Sequence, residues 1–211
     1  MTALAAAAAV VVLVWFAAGT VWNVRKGRAS MSWMQSGLPL IGQRTTVRWL
    51  GSTAVELVIA KAVAPFEEAT LIVFLEPRDL PWMWAMARSR GRRDTLIFRA
   101  KLRDLPHVDA EALDRTSWSG RDALPKVTSA GWSVREPASP AGLATYYRTP
   151  AALERANALV DLAGRAGLVL RRLSIRRAEP HLQVHVDLPG AGAPARDFFE
   201  VLRELGRQAP A

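Results

Sequence analysis

The hydrophobic and polar positions divide the chain into three kinds of segment. The first is the run ALAAAAAVVVLVWFAAGTVW from Ala3 to Trp22, free of charge and interrupted only by Gly19 and Thr20. Twenty helical residues at about 1.5 Å each reach about 30 Å, the thickness of a bilayer's hydrocarbon core. Trp22 stands where an interfacial aromatic anchor belongs, and Arg25, Lys26 and Arg28 follow at once. A cleaved secretion signal has positive charge before a shorter apolar core and a small-residue cleavage site. This run lacks that charge, is longer, and offers only Gly19-Thr20-Val21-Trp22 for cleavage. The expectation is a retained transmembrane anchor over 1–22, with a cleaved signal and a buried soluble helix as alternatives. The positive-inside rule then puts the N-terminus outside and the bulk of the chain in the cytoplasm, at a cell inner membrane.

The second kind of segment is poor in periodicity. Residues 23–42 read as a juxtamembrane connector, with Met31, Trp33 and Met34 at headgroup level and helix breakers at Gly37, Pro39 and Gly42. Residues 104–130 are rich in Pro, Asp, Ser and Gly. They read as a linker or insertion, with a short helix near 109–116.

The third kind alternates or repeats helically. TTVRWLGSTAVELVIAKA reads as two strands around a Gly51-Ser52 turn, with Val55, Leu57 and Ile59 on one face. ATLIVFLE over 69–76 is apolar on both faces and predicts a central strand. PWMWAMARSR predicts a helix capped by Asp79, with Pro81 in its first turn. DTLIFRAKLRD places Leu96, Phe98, Ala100 and Leu102 inward and Arg99, Lys101 and Arg103 outward. Short strands are expected over 131–136 and 143–148, then a helix from Thr149-Pro150 to about Ala166. Strands over 169–177 and 181–188 follow, the second with His181 and His185 outward. The last helix, 194–207, carries Phe198, Val201, Leu202 and Leu205 as its core stripe.

Together these predict an α+β protein: a single N-terminal transmembrane helix followed by a largely antiparallel sheet with packed helices. The expected organisation is 1–22 anchor, 23–42 connector, 43–103 first α+β half, 104–130 linker or insertion and 131–211 second half. Segments 57–77 and 173–189 are both strand, Pro-containing turn, strand, and each leads into a helix. Two related strand–strand–helix halves are therefore one of two open readings, the other being coincidence of a common unit.

Composition changes this picture in two ways. The 211 residues contain no cysteine, which excludes disulfides, cysteine-ligated metal and thiol catalysis. The net charge is +9, yet the basic residues are mostly arginine and the chain is alanine-rich. That pattern follows GC-rich codon usage and suits a bacterial single-span protein, so only the clustering of arginines is informative. Residues 88–103 hold Arg88, Arg90, Arg92, Arg93, Arg99, Lys101 and Arg103 against Asp94 alone, a net +6. They follow Trp82 and Trp84, and an aromatic, Met-rich helix running into arginines resembles an interfacial membrane segment. A buried helix with a solvated basic end is the competing reading. Arg172 and Arg176 share one strand face, Arg171 and Arg177 the other.

Little else suggests chemistry. His181 and His185 are four apart, but on a strand that is about 13 Å, too far for one metal ion. Gly190, Gly192 and Ala195 match a dinucleotide fingerprint that lacks its following strand and acid. No phosphate loop or nucleophile elbow occurs. No cofactor, metal or catalytic residue is expected. The functional expectation is a membrane-anchored cytoplasmic interaction or accessory module. Its basic surface (88–103) and interfacial residues (Trp22, Arg25, Lys26, Arg28, Trp82, Trp84) would meet anionic lipid or a protein partner. A membrane-tethered nucleic-acid-binding protein and an enzyme with a cryptic site are the alternatives. Oligomeric state is not set by any of these features.

Overall fold

The computed structural model describes residues 2–137, 142–190 and 192–210. Its first element, α1 (Thr2–Gln35), is one unbroken helix of 34 residues. The connector expected from residue 23 is instead a continuation of that helix. Gly19, Asn23, Gly27, Ser30 and Met34 are buried at four- and three-residue intervals, which form one stripe along a helix. Met31, Trp33 and Met34 therefore pack into the core rather than at headgroup level. Met34 has no exposed surface. The Trp33 ring lies 5.4 Å from that of Phe198, and its Nε1–H donates to the Ala193 carbonyl at 2.6 Å. A 3-10 turn at Leu38–Leu40 ends this docked part, where Gly37 and Pro39 break the helix. The N-terminal half behaves differently: Leu4 is 81%, Val11 65% and Leu13 67% exposed. Among the described residues α1 is the one helix long and apolar enough to cross a membrane.

Among the described residues nine strands follow: β1 (Thr45–Trp49), β2 (Ala54–Ile59), β3 (Phe66–Phe74), β4 (Thr95–Leu102), β5 (Ala110–Leu113), β6 (Ser133–Arg135), β7 (Ala144–Tyr147), β8 (Leu170–Ile175) and β9 (Leu182–Asp187). They form one sheet in the order β1-β2-β3-β4-β9-β8-β5-β7-β6, with every neighbouring pair antiparallel. The chain is thus α+β as expected. Four helices are interleaved: α2 (Pro81–Ser89), α3 (Trp118–Ser129), α4 (Pro150–Arg165) and α5 (Ala195–Gln208). The first four strands join the rest through β4 and β9, where Phe98 lies opposite Val184. Both strand–turn–strand units exist, β2–β3 before α2 and β8–β9 before α5. Their turns carry cis bonds at Ala64–Pro65 and Glu179–Pro180.

Alternation decides which face is covered. On one face Leu57, Leu71, Phe98, Leu173 and Val184 meet Leu159 of α4, Phe198, Phe199, Leu202 and Leu205 of α5, and Met34 of α1. Fully burying one such side chain is worth about 1.5–3 kcal/mol, so this face is the main core. On the other face Leu113, Ala144 and Tyr146 pack against Ala123 and Val127 of α3. Val201, expected in the core stripe, is only half-buried, and Phe199 takes its place.

Three further expectations are corrected. Ala110–Leu113 is a strand, not the start of a short helix, and it sits inside the sheet between β7 and β8. Four residues are too few for periodicity to show, and Glu111 reads as polar although it is buried. Helix α3 follows, capped by Ser117 Oγ accepting from the Gly120 N–H at 3.0 Å. Asp79 does not cap α2; the N-cap is Leu80, and Asp79 accepts from Ser52 Oγ at 3.1 Å. His181 and His185 do not face solvent. They are 2% and 3% exposed, because β9 is an interior strand covered on both faces.

Candidate functional site

The connection between β3 and β4, residues 75–94, carries α2 at the end of the sheet where α1 leaves it. Three contacts along α1 build the junction. Trp15 Nε1–H donates to the Arg78 carbonyl at 2.9 Å. Gly19 packs so closely on the Arg78–Asp79 backbone that a Cβ would stand 2.2 Å from the Arg78 carbonyl oxygen. Asn23 is buried and donates Nδ2–H to the Glu76 carbonyl at 3.1 Å.

Charges fill the space beneath. Arg78 donates to both oxygens of Asp94, at 3.0 and 2.8 Å, and to Asn23 Oδ1 at 3.3 Å. Lys26 of α1 reaches Asp94 at 2.5 Å. Glu76, 2% exposed, accepts from Trp84 Nε1–H at 2.6 Å, from Arg88 at 3.2 Å and from Arg78 at 3.3 Å. A buried carboxylate persists only with such partners. Burial pushes the Asp94 carboxyl up, but hydrogen bonds from Arg78, Lys26 and the Glu76 N–H outweigh it and hold it below its ordinary value. The chemistry of this arrangement is structural: it ties α1 to the sheet.

Helix α2 has two unlike faces. Trp84 and Arg88 turn inward to Glu76. Trp82, Met83 and Met86 are 56%, 40% and 47% exposed, and at 100° per residue they fall within about 100° of arc. No residue of α2 is buried. An open groove of about 590 Å³ runs between Val10, Val11, Val14, Trp15, Ala18 and Trp22 on α1 and Arg78 and Trp84.

The basic stretch is distributed rather than gathered. Arg88 is paired with Glu76. Arg90 is exposed and closes α2. Arg92 lies over the Trp118 ring at 5.9 Å, and Arg93 donates to the Arg92 carbonyl at 2.7 Å. Beyond them β4 extends for eight residues, about 27 Å at 3.4 Å per residue. Arg99 is exposed on the sheet. Lys101 pairs with Glu67 and Glu179 at 3.4 and 3.1 Å, and Arg103 donates to the Phe66 carbonyl at 3.1 Å. Arg88–Arg93 and Lys101–Arg103 thus occupy opposite ends of the strand. Of the interfacial residues, Trp22, Arg25 and Arg28 are exposed and Lys26 is drawn to Asp94.

Sequence reasoning missed Glu76, Arg78 and Asn23 and used Asp94 only as a counter-charge. The signal was present: an Asn just past an apolar run, and acid–Pro–Arg directly after a strand. It missed a second network as well. Glu111, 1% exposed, accepts from Arg172 at 3.0 Å, Ser174 at 3.1 Å and Arg176. Arg176 also stacks on Trp132 at 4.3 Å. Arg172 and Arg176 do share a face, as alternation predicts. Beside them His185 lies between Ile97 and Arg172 in the register, with neither ring nitrogen hydrogen-bonded. Burial first, then Arg172 and Arg99, lower its pKa to about 3. His185 is closed to solvent and offers no reactive group to a substrate. Among the described residues no group of three or more His, Asp or Glu side chains is placed to hold a metal ion. Compared with known proteins, the chain matches no family model and no curated protein.

Proposed function

We propose that the chain is a single-pass membrane-anchored accessory or interaction module, with its sheet domain at the cytoplasmic face of a bacterial inner membrane. One observation carries this reading. The apolar half of α1 projects with its side chains exposed, while a stripe along the rest of the same helix (Asn23, Gly27, Ser30 and Met34) is buried and Met34 enters the main core. A soluble core helix would be covered along its length, and large exposed apolar surface marks an interaction site. Signal cleavage near Trp22 would cut within a helix already packed on Arg78 at Gly19 and on Glu76 at Asn23. The basic flank Arg25, Lys26 and Arg28 supports a cytoplasmic sheet domain. Arg90, Arg92 and Arg93, which follow the C-terminal end of α2, would meet anionic headgroups. The domain would present the rest of its surface to a protein partner.

The nucleic-acid alternative gains nothing from Arg99 and Lys101, since Lys101 is held by two glutamates and Phe98 points into the core. Stacking aromatics among the charges are what such a surface needs. The test is twofold. The protein should resist alkaline extraction from membranes and keep its N-terminus, and a C-terminal reporter active only in the cytoplasm should work. N-terminal sequencing that begins beyond Trp22, or a silent reporter with a working periplasmic one, would overturn the reading.

A further inference from the structure

We infer that α2 lies within the bilayer as an in-plane helix, with Trp82, Met83 and Met86 against acyl chains beside the span of α1. The inference rests on the anchor reading and adds to it a second, non-spanning point of insertion. The depth follows from α1 itself. The lower border of the span is set by Trp22 and the cations after it. Trp15, seven residues before that border, hydrogen-bonds the Arg78 carbonyl. Seven residues of helix are about 10 Å, and the usual tilt of about 20° changes that by less than about 1 Å. Gly19 touches the Arg78–Asp79 backbone, and α2 begins two residues later. With Trp15 in the hydrocarbon, α2 therefore cannot lie wholly in water. In-plane amphipathic helices bury their apolar face about 5–10 Å below the headgroup boundary, and the Arg78 carbonyl, three residues before α2, stands at a comparable depth.

Three other observations point to lipid as the occupant rather than a protein. Trp84 of α2 shares an apolar groove with Val10, Val11 and Val14 on the exposed half of α1, and Met83 and Met86 open on the other side of α2, beside Pro77, Arg92 and Trp118. The charged groups of the junction are satisfied internally: Arg78 by Asp94, Glu76 and Asn23, and Glu76 also by Trp84. Hydrocarbon demands such pairing, and water does not. Finally, the exposed Arg90 and the adjoining Arg92 and Arg93 sit at the C-terminal end of α2, where they reach back toward phosphates.

The chain has no cysteine, so single labels can be placed cleanly in the full-length protein. Nitroxides at M83C and M86C would be compared in vesicles of zwitterionic and anionic lipid with V11C in the span and E200C on α5. Accessibility to oxygen and to a water-soluble nickel chelate reads depth. Expected are oxygen-rich, nickel-poor values at positions 83 and 86, between those at 11 and 200, with nickel access several-fold below that at 200. If 83 and 86 match 200 while 11 reads as hydrocarbon, α2 is in water and the inference fails with the anchor intact. If both are shielded from oxygen and nickel alike, a protein covers them and the inference also fails. If 11 reads as water, the anchor reading falls first and takes this one with it.

Discussion

Helices α2 and α5 follow the same kind of strand pair and meet opposite fates. α5 buries Phe198, Phe199, Leu202 and Leu205 against the sheet and against Trp33 of α1. α2 buries nothing, although its Trp and Met residues are as apolar. A hydrophobic pattern thus reports which side of a helix avoids water without naming what replaces the water. For α5 it is the protein's own core. For α2 nothing among the described residues covers the apolar face.

The comparison breaks first at the core. Leu202→Ala should destabilise the detergent-solubilised protein by about 2–5 kcal/mol, because Leu202 has no exposed surface. Met86→Ala should change it by less than about 0.5 kcal/mol. Equal shifts in the denaturation midpoint would mean that α2 packs as α5 does. Next comes the lock beneath α2. Asp94→Asn leaves Arg78 and Lys26 short of their shared partner and should cost about 1–3 kcal/mol, with faster proteolysis of the 75–94 segment. An unchanged midpoint would show that the network does not hold α2 to α1.

Acid sharpens the contrast between the two networks. His185 stays neutral in the fold down to about pH 3, while its ordinary value is 6.5. Between those limits the unfolded chain binds a proton that the folded chain refuses, so stability drops as the pH is lowered, by up to about 1.4 kcal/mol per unit. This contribution is complete above pH 6.5. Asp94 adds a second window: its stabilisation holds above its ordinary value of 3.8 and is lost as pH falls through the lower folded value. His185→Leu should flatten the upper window and leave the lower one, and Asp94→Asn should do the reverse. Unfolding curves at pH 7, 5 and 3.5 would check both. The smallest effect is electrostatic. Replacing Arg90, Arg92 and Arg93 together by Gln should weaken attachment of α2 to anionic vesicles by at most about 1 kcal/mol per residue and leave neutral vesicles unaffected. Hydrogen exchange of residues 81–93 in the two lipids would read it.

The regular parts were legible because one period governs them. β4 and β9 alternate cleanly, and Thr149-Pro150 announces α4, where the Ala152 N–H bonds to Thr149 Oγ1 at 3.3 Å. What hid the rest was context. His181 and His185 look outward on a strand with one wet face, but β9 ended up between β4 and β8 with both faces covered. There His181 Nδ1 accepts the Leu102 N–H at 3.1 Å. β5 is too short to alternate visibly, and Pro125 within α3 reads as a breaker. The junction was only partly legible: Gly19 looks like an interruption in the apolar run and Asn23 and Gly27 like the start of a connector, and only the packed surface shows that they form one docking stripe. Small residues let backbones approach closely, and a single chain reveals that only when it folds back on itself.

An unbroken α1 couples its exposed apolar half to the sheet domain through the stripe Gly19, Asn23, Gly27, Ser30 and Met34. Hydrogen exchange of the full-length protein in lipid bilayers tests it most directly. An unbroken, docked helix predicts that the amides of residues 20–34 are protected as strongly as those of α5. Rapid exchange over 23–34 beside a protected α5 would mean a flexible connector in place of a docked helix.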